Sequence, residues 1–305
     1  MKIEVLMNKK ISIIGLPLDM GASIRGARLG PSALRLNGLI RELKSLDLEI
    51  KDLGDIEVSN SYEDQIGPKN LKNYQIVKEA CTKLYNKVDE IIKNKNLPLV
   101  LGGDHSLAIG SVKAALNNYP DLGVIWIDTH GDINNEKISP SGNIHGMSLS
   151  AIMGLACEEL SNIGQNKNFL KSQNLVYIGL RDLDKEEREV LKDYNIKAFS
   201  LQEIDEYSIG KVTKEALKYL NEKTNHIHVS LDIDVVDPIY APGTGTRKNG
   251  GLTPREIFLL TEILSKSDLI TSVDLVEVNP LLDIKSQTSV LAIDIAKSLF
   301  GQKLL

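Results

Sequence analysis

Gly123-Val124-Ile125-Trp126-Ile127-Asp128-Thr129-His130-Gly131-Asp132 passes directly from an apolar run into alternating acids and a histidine. The apolar half reads as a short buried strand. Asp128, His130 and Asp132 follow at i, i+2 and i+4, and in extended chain such positions face the same way. Two further runs repeat the design. Gly102-Gly103-Asp104-His105-Ser106 follows the apolar stretch Pro98 to Leu101, and Asp232-Ile233-Asp234 follows the strand His226 to Leu231. On that last strand His228, Ser230 and Asp232 share one face, which places His228 behind the acids rather than among them. His226 reads as structural.

His105, Asp128, His130, Asp132, Asp232 and Asp234 thus form a hard oxygen and nitrogen set suited to two divalent cations. Carboxylates gathered without a cation repel and raise one another's pKa, and a pair of metal ions relieves this. With no thiolate in the set, structural zinc and copper are disfavoured. Mn²⁺ suits it, with Mg²⁺, Co²⁺ or Fe²⁺ as alternatives. A two-metal site makes hydroxide at neutral pH and aims it at a bound electrophile.

Outward from these runs, apolar strands alternate with amphipathic helices. Strands are expected at Ile11 to Gly15, Leu175 to Gly179 and Ile270 to Val276. Helices are expected at Pro31 to Leu43, Tyr74 to Lys93, His105 to Leu116, Lys185 to Asp193 and Ser286 to Leu299. Thr253 should cap another helix, reaching Leu264, with Pro254 at its first position. This alternation predicts an α/β fold with a parallel sheet and helices on both faces. No repeat or flexible linker interrupts it, so residues 1–305 are expected to form a single domain. Acids cluster just after the strands, at Asp104, Asp128 to Asp132, Asp182-Asp184, Asp232-Asp234 and Glu277. Ligands bind at the carboxyl ends of the strands in such sheets, which predicts one acidic cleft.

The 305 residues carry a net charge of -5, so no basic excess exists to neutralise phosphates, and nucleic acid is not expected as a partner. No stretch approaches the roughly 20 apolar residues that span a bilayer. Cys81 and Cys157 are too few for a disulfide framework and read as buried thiols in a reducing cytoplasm. No signal peptide is read at the N-terminus. Met7 is a second candidate start beside Met1.

The three metal runs, with Asp237-Pro238, Ala241-Pro242-Gly243-Thr244-Gly245-Thr246, Gly250-Gly251-Leu252-Thr253 and Glu277-Val278-Asn279-Pro280, resemble the ureohydrolases, the arginase and agmatinase family. The resemblance begins at Ile14-Gly15-Leu16-Pro17 and extends to the last helix. It implies a three-layer αβα fold around a mainly parallel eight-stranded sheet, two Mn²⁺ per subunit, and hydrolysis of a guanidino C–N bond by a metal-bridging hydroxide. His105, Asp128, Asp132 and Asp232 look like ligands of one manganese. Asp128, His130, Asp232 and Asp234 look like ligands of the other, with Asp128 and Asp232 bridging. The family also suggests homotrimers or homohexamers.

Substrate choice within the family rests on neighbouring loops. Ser141-Gly142-Asn143-Ile144-His145-Gly146 resembles the arginase loop, and Asn134, Ser141 and Asn143 offer neutral donors to an α-carboxylate. Arg181-Asp182-Leu183-Asp184 with Glu187 also resembles arginases, Asp184 and Glu187 receiving the α-ammonium. His145 resembles a proton shuttle or general acid. Glu277 would hold the guanidinium, Thr246 would line its pocket, and Asp132 would pass the proton to the leaving amine. The implied reaction is L-arginine and water to L-ornithine and urea, with agmatine as the competing substrate. The chain departs from the family at Gly131, where arginases mostly have Ala, at Ser148, where Pro is frequent, and at Ala22-Ser23, in a loop that is often more polar.

Overall fold

The computed structural model describes residues 10–59, 64–165 and 167–302; Met1 and Met7 lie outside them. Among the described residues eight strands form one sheet: β1 (Ile11–Leu16), β2 (Ile50–Asp55), β3 (Leu97–Gly102), β4 (Gly123–Ile127), β5 (Leu175–Leu180), β6 (Lys197–Ser200), β7 (Ile227–Asp232) and β8 (Ile270–Val276). Their order is β2-β1-β3-β8-β7-β4-β5-β6. Every pairing is parallel, so the sheet is wholly rather than mainly parallel.

Period-two alternation divides the core into two layers. Ile125 and Ile127 pack into one layer, against helices that include Pro254–Leu264 and Gln287–Leu299. Val124 and Trp126 enter the other, against Tyr74–Lys93 and Ala108–Asn118. On this second face β7 contributes no apolar residue, because His228, Ser230 and Asp232 occupy it. A polar seam therefore runs up the middle of the sheet towards its carboxyl edge.

The helix Tyr74–Lys93, the helix Lys185–Asp193 and the strand β8 lie where the sequence predicts them. Thr253 caps Pro254–Leu264 in a box with Glu256, a device that contributes about 1 kcal/mol. The helix expected over Pro31 to Leu43 is broken into Gly30–Leu36 and Leu39–Lys44, because Gly38 adopts φ 102°. His105 to Leu116 begins as a 3₁₀ turn at His105–Leu107 before the α-helix. The two edge strands escape the sequence pattern. β2 is exposed or half-buried along its length and β6 buries only Phe199, so neither reads as an apolar run. Among the described residues no helix is long and apolar enough to cross a membrane.

Candidate metal centre and substrate cleft

Five adjacent strands, β3, β8, β7, β4 and β5, end on one edge. The chain leaves each of these ends carrying polar side chains. Asp104 and His105 follow β3, Glu277 follows β8, Asp232 ends β7 and Asp234 follows it. Asp128, His130 and Asp132 follow β4, and Arg181 to Asp184 follow β5. The predicted acidic cleft is present, with a volume of about 270 Å³.

Its floor brings the expected ligands together. His105 Nδ1 lies 3.0 Å from Asp128 Oδ2, 3.0 Å from Asp132 Oδ2 and 3.3 Å from Asp232 Oδ2. His130 Nδ1 lies 3.0 Å from Asp234 Oδ2 and 3.6 Å from Asp128 Oδ1. Asp128 belongs to both clusters. Despite these short distances His105 Nδ1 makes no hydrogen bond of acceptable direction; on His130 the buried Nε2, the nitrogen away from these acid contacts, is also without a partner. A buried nitrogen aimed between three carboxylates without bonding any of them is placed as a ligand atom is placed.

Electrostatics lead to the same reading. Burial, then Asp234 and Asp128, holds the Asp232 carboxyl well above its ordinary value. Burial followed by Asp128 raises Asp132. Burial opposes the His130 charge, yet Asp234 and Asp128 push its pKa up to about 12. So much stored repulsion among acids is what dications neutralise. The donor set of carboxylates and imidazoles, with no sulfur, fits hard or borderline divalent metals.

Neighbouring groups fix these candidate ligands. His105 Nε2 pairs with Ser230 Oγ at 2.8 Å, and the ring stacks on Trp126 at 4.0 Å. Trp126 Nε1 donates to Asp128 Oδ2 at 3.0 Å, and Trp126 sits opposite Ser230 in the sheet. Arg181 donates to the carbonyls of Asp234 and Val235, holding the 3₁₀ turn that carries Asp234. Ser148, one of the departures noted above, donates to the carbonyls of both His105 and His145. Trp126, Ser230 and Arg181 were not among the site residues read from sequence. Their signal is positional, two residues before a ligand on the same strand face or just after a strand end.

Asp132 at φ 49° and Glu277 at φ 63° occupy the left-handed region, unusual for residues other than glycine. Such strain costs on the order of 1–3 kcal/mol and is retained where surrounding structure enforces it. Glu277 accepts the His105 backbone N–H at 2.9 Å and lies 3.2 Å from His145 Nδ1. The His145 charge is opposed by burial but favoured more by Glu277, which lifts its pKa to about 9.

The cleft wall carries the remaining expected residues. Asn134, Ser141, Asn143, Asp182, Asp184, Glu187 and Thr246 all line it, together with Ser139 and Leu183, which the sequence reading missed. Ser139 lies two residues before Ser141 on the same loop. Asp184 and Glu187 form the capping box of Lys185–Asp193, and Asn134 Nδ2 donates to Asp184 Oδ2 at 3.1 Å. Burial, then Asp132 and Asp184, pushes the Glu187 carboxyl up to about 7. Asp182 pairs with Lys248 at the exposed margin. At Gly131 a Cβ would stand 2.8 Å from the end of the Leu183 side chain and 2.9 Å from that of Glu187, so a larger residue requires both to shift.

Residues 9–301 match the Arginase family. An arginase of Staphylococcus aureus is 46% identical over 300 residues, covering 97% of this chain and 99% of that one. The native arginase structure from Bacillus caldovelox superposes with a TM-score of 0.94 at 44% identity, covering 97% of this chain and all of that one. The arginase of Entamoeba histolytica, solved in complex with L-ornithine, superposes at 0.88 with 27% identity, over 96% and 99% of the two chains. Family match, full-length identity and a cleft with its acids and imidazoles in place agree: the chain belongs to the arginase family and is a hydrolase of that family.

Proposed function

We propose that this protein hydrolyses L-arginine to L-ornithine and urea, with two Mn²⁺ per subunit in a single domain spanning residues 1–305. The observation that carries the reading is the His105 and His130 pair of acid clusters sharing Asp128 beside a wall of neutral donors. His105, Asp128, Asp132 and Asp232 would hold one cation, and Asp128, His130, Asp232 and Asp234 the other. When bound, such cations supply the Lewis acidity that makes a nucleophile of water at neutral pH.

The chain's own groups do the rest. Glu277 binds the guanidinium and turns its carbon towards the floor, exchanging its contact with His145 for the substrate. Asn134, Ser141 and Asn143 receive the α-carboxylate, and Asp184 and Glu187 the α-ammonium. An arriving cation would return the buried Glu187 to its charged form. Thr246 borders the guanidino end and Asp182 the outer margin. Fixing both ends of the substrate makes the attack effectively intramolecular. Asp132 takes a proton from water and delivers it to the leaving amine, and His145 exchanges protons with solvent. The L-ornithine complex of the Entamoeba relative supports an amino-acid ligand for this cleft. A homotrimer or homohexamer acting in the cytoplasm accords with this reading.

Urea release from L-arginine and from agmatine, measured in parallel on protein whose metal content has been determined, tests the assignment. L-Arginine should be turned over faster by at least tenfold with manganese bound. Faster turnover of agmatine would replace the substrate.

A further inference from the structure

No lysine or arginine is among the described residues that line the cleft, and the donors proposed for the α-carboxylate, Asn134, Ser141 and Asn143, are neutral. For Asn143 this poses a problem, because an amide presents N–H groups on one side and a carbonyl on the other. With the carbonyl turned inward, the same residue would repel the carboxylate. Two residues outside the cleft decide between these orientations. Lys72 Nζ lies 3.3 Å from Ser23 Oγ, and Ser23 Oγ lies 2.9 Å from Asn143 Oδ1. An ammonium can only donate. Ser23 therefore accepts from Lys72 and gives its own hydrogen to Asn143, which favours the orientation with Oδ1 towards Ser23 and the NH₂ free. Donors arranged in series also polarise one another, which strengthens the last of them.

The backbone supports the same contact. Lys72 N–H donates to Gly142 O at 3.0 Å, and His145 N–H donates to Gly21 O at 3.1 Å. The early loop and the Lys72 segment thus grip the loop carrying Asn143 from two sides. The geometry points to a directed relay, Lys72 to Ser23 to Asn143, that sets the polarity of the α-carboxylate subsite and so selects guanidino substrates bearing a carboxylate. Lys72 and Ser23 are positioning residues acting through Asn143, and their role rests on the substrate reading above. The relay lies at the solvent margin, where charge alone is screened. Its effect comes from direction rather than from long-range attraction.

Ser23→Ala, Lys72→Met and Lys72→Arg test it by steady-state urea release from L-arginine, with L-ornithine and 1,4-diaminobutane as inhibitors. The diamine is L-ornithine without its carboxylate. Ser23→Ala and Lys72→Met should raise KM for L-arginine and Ki for L-ornithine by about three- to tenfold, the range of the net contribution of one ordinary hydrogen bond. Turnover and Ki for the diamine should stay within about twofold, and Lys72→Arg, which keeps a donor-only cation, should recover most of the affinity. Unchanged KM, or equal losses for L-ornithine and the diamine, would overturn the relay. Wild-type protein is compared first on L-arginine and agmatine; preference for agmatine would instead overturn the substrate reading, a distinct outcome.

Discussion

Two buried sets of acid and imidazole sit four residues apart along β7, and only one of them is closed, in the sense that both nitrogens of its imidazole are bonded. In the lower set His228 Nδ1 pairs with Ser272 Oγ at 2.8 Å and Nε2 with Asp274 Oδ2 at 3.1 Å, while Ser111 also donates to Asp274. Both ring nitrogens are satisfied. In the upper set, around Asp232, His105 Nδ1 faces three carboxylates and bonds none. Burial and residue type are nearly the same in the two places. What separates a packed polar core from a ligand cage is whether the imidazole still has an unbonded nitrogen, and whether acids outnumber the groups that could neutralise them.

Asp232→Asn gives the largest expected effect and the sharpest form of this contrast. Activity should fall by on the order of 10³ or more, since the proposed function makes Asp232 a ligand shared by both cations. Without metal, the same variant should melt no lower than wild type. Burial and neighbouring acids raise the Asp232 pKa, so its ionised form costs the metal-free fold stability at neutral pH, and the neutral amide removes that cost. Calorimetry of chelator-treated protein measures this; a clear drop in melting temperature would show that the upper set is closed as well.

Next comes His145→Asn, expected to reduce kcat by on the order of 10²-fold, as loss of an acid–base group does. Metal content should be unchanged by elemental analysis, because His145 touches Glu277 and not the acid clusters. Loss of metal would move His145 from the cleft wall to the floor.

His228→Ala should show the opposite profile. Removing one partner of the closed set leaves Asp274 buried without its histidine and should destabilise the fold by about 3 kcal/mol in denaturant titration. Metal content should hold and kcat should change by no more than about threefold. A stable variant that loses metal would erase the distinction between the two sets. The smallest effect is expected of Gly131→Ala. The added methyl must displace the ends of the Leu183 and Glu187 side chains, a strain of about 1 kcal/mol. KM for L-arginine should rise by a few-fold with kcat retained.

Much of the site was legible because the metal runs are short and local. Asp128, His130 and Asp132 alternate on one stretch, and three such runs after apolar strands needed only a parallel sheet to meet. The edge strands were not legible. β2 and β6 take their identity from pairing with β1 and β5, not from burial. The break at Gly38 was likewise hidden, since the apolar spacing continues on both sides of it.

The sequence by itself determined the candidate ligand types, the parallel α/β plan and the neutral character of Asn134, Ser141 and Asn143 on the cleft wall. These follow from residue chemistry and from periodicities of two and 3.6, which act over a few residues. Only the tertiary structure decided which histidine is open and which is closed, and which way the Asn143 amide points. Both depend on partners brought from distant segments: Ser272 and Asp274 on β8, Ser230 on β7, and Lys72 with Ser23 across the cleft rim. A hydrogen bond is set by distance and angle in space, and separation along the chain does not specify either.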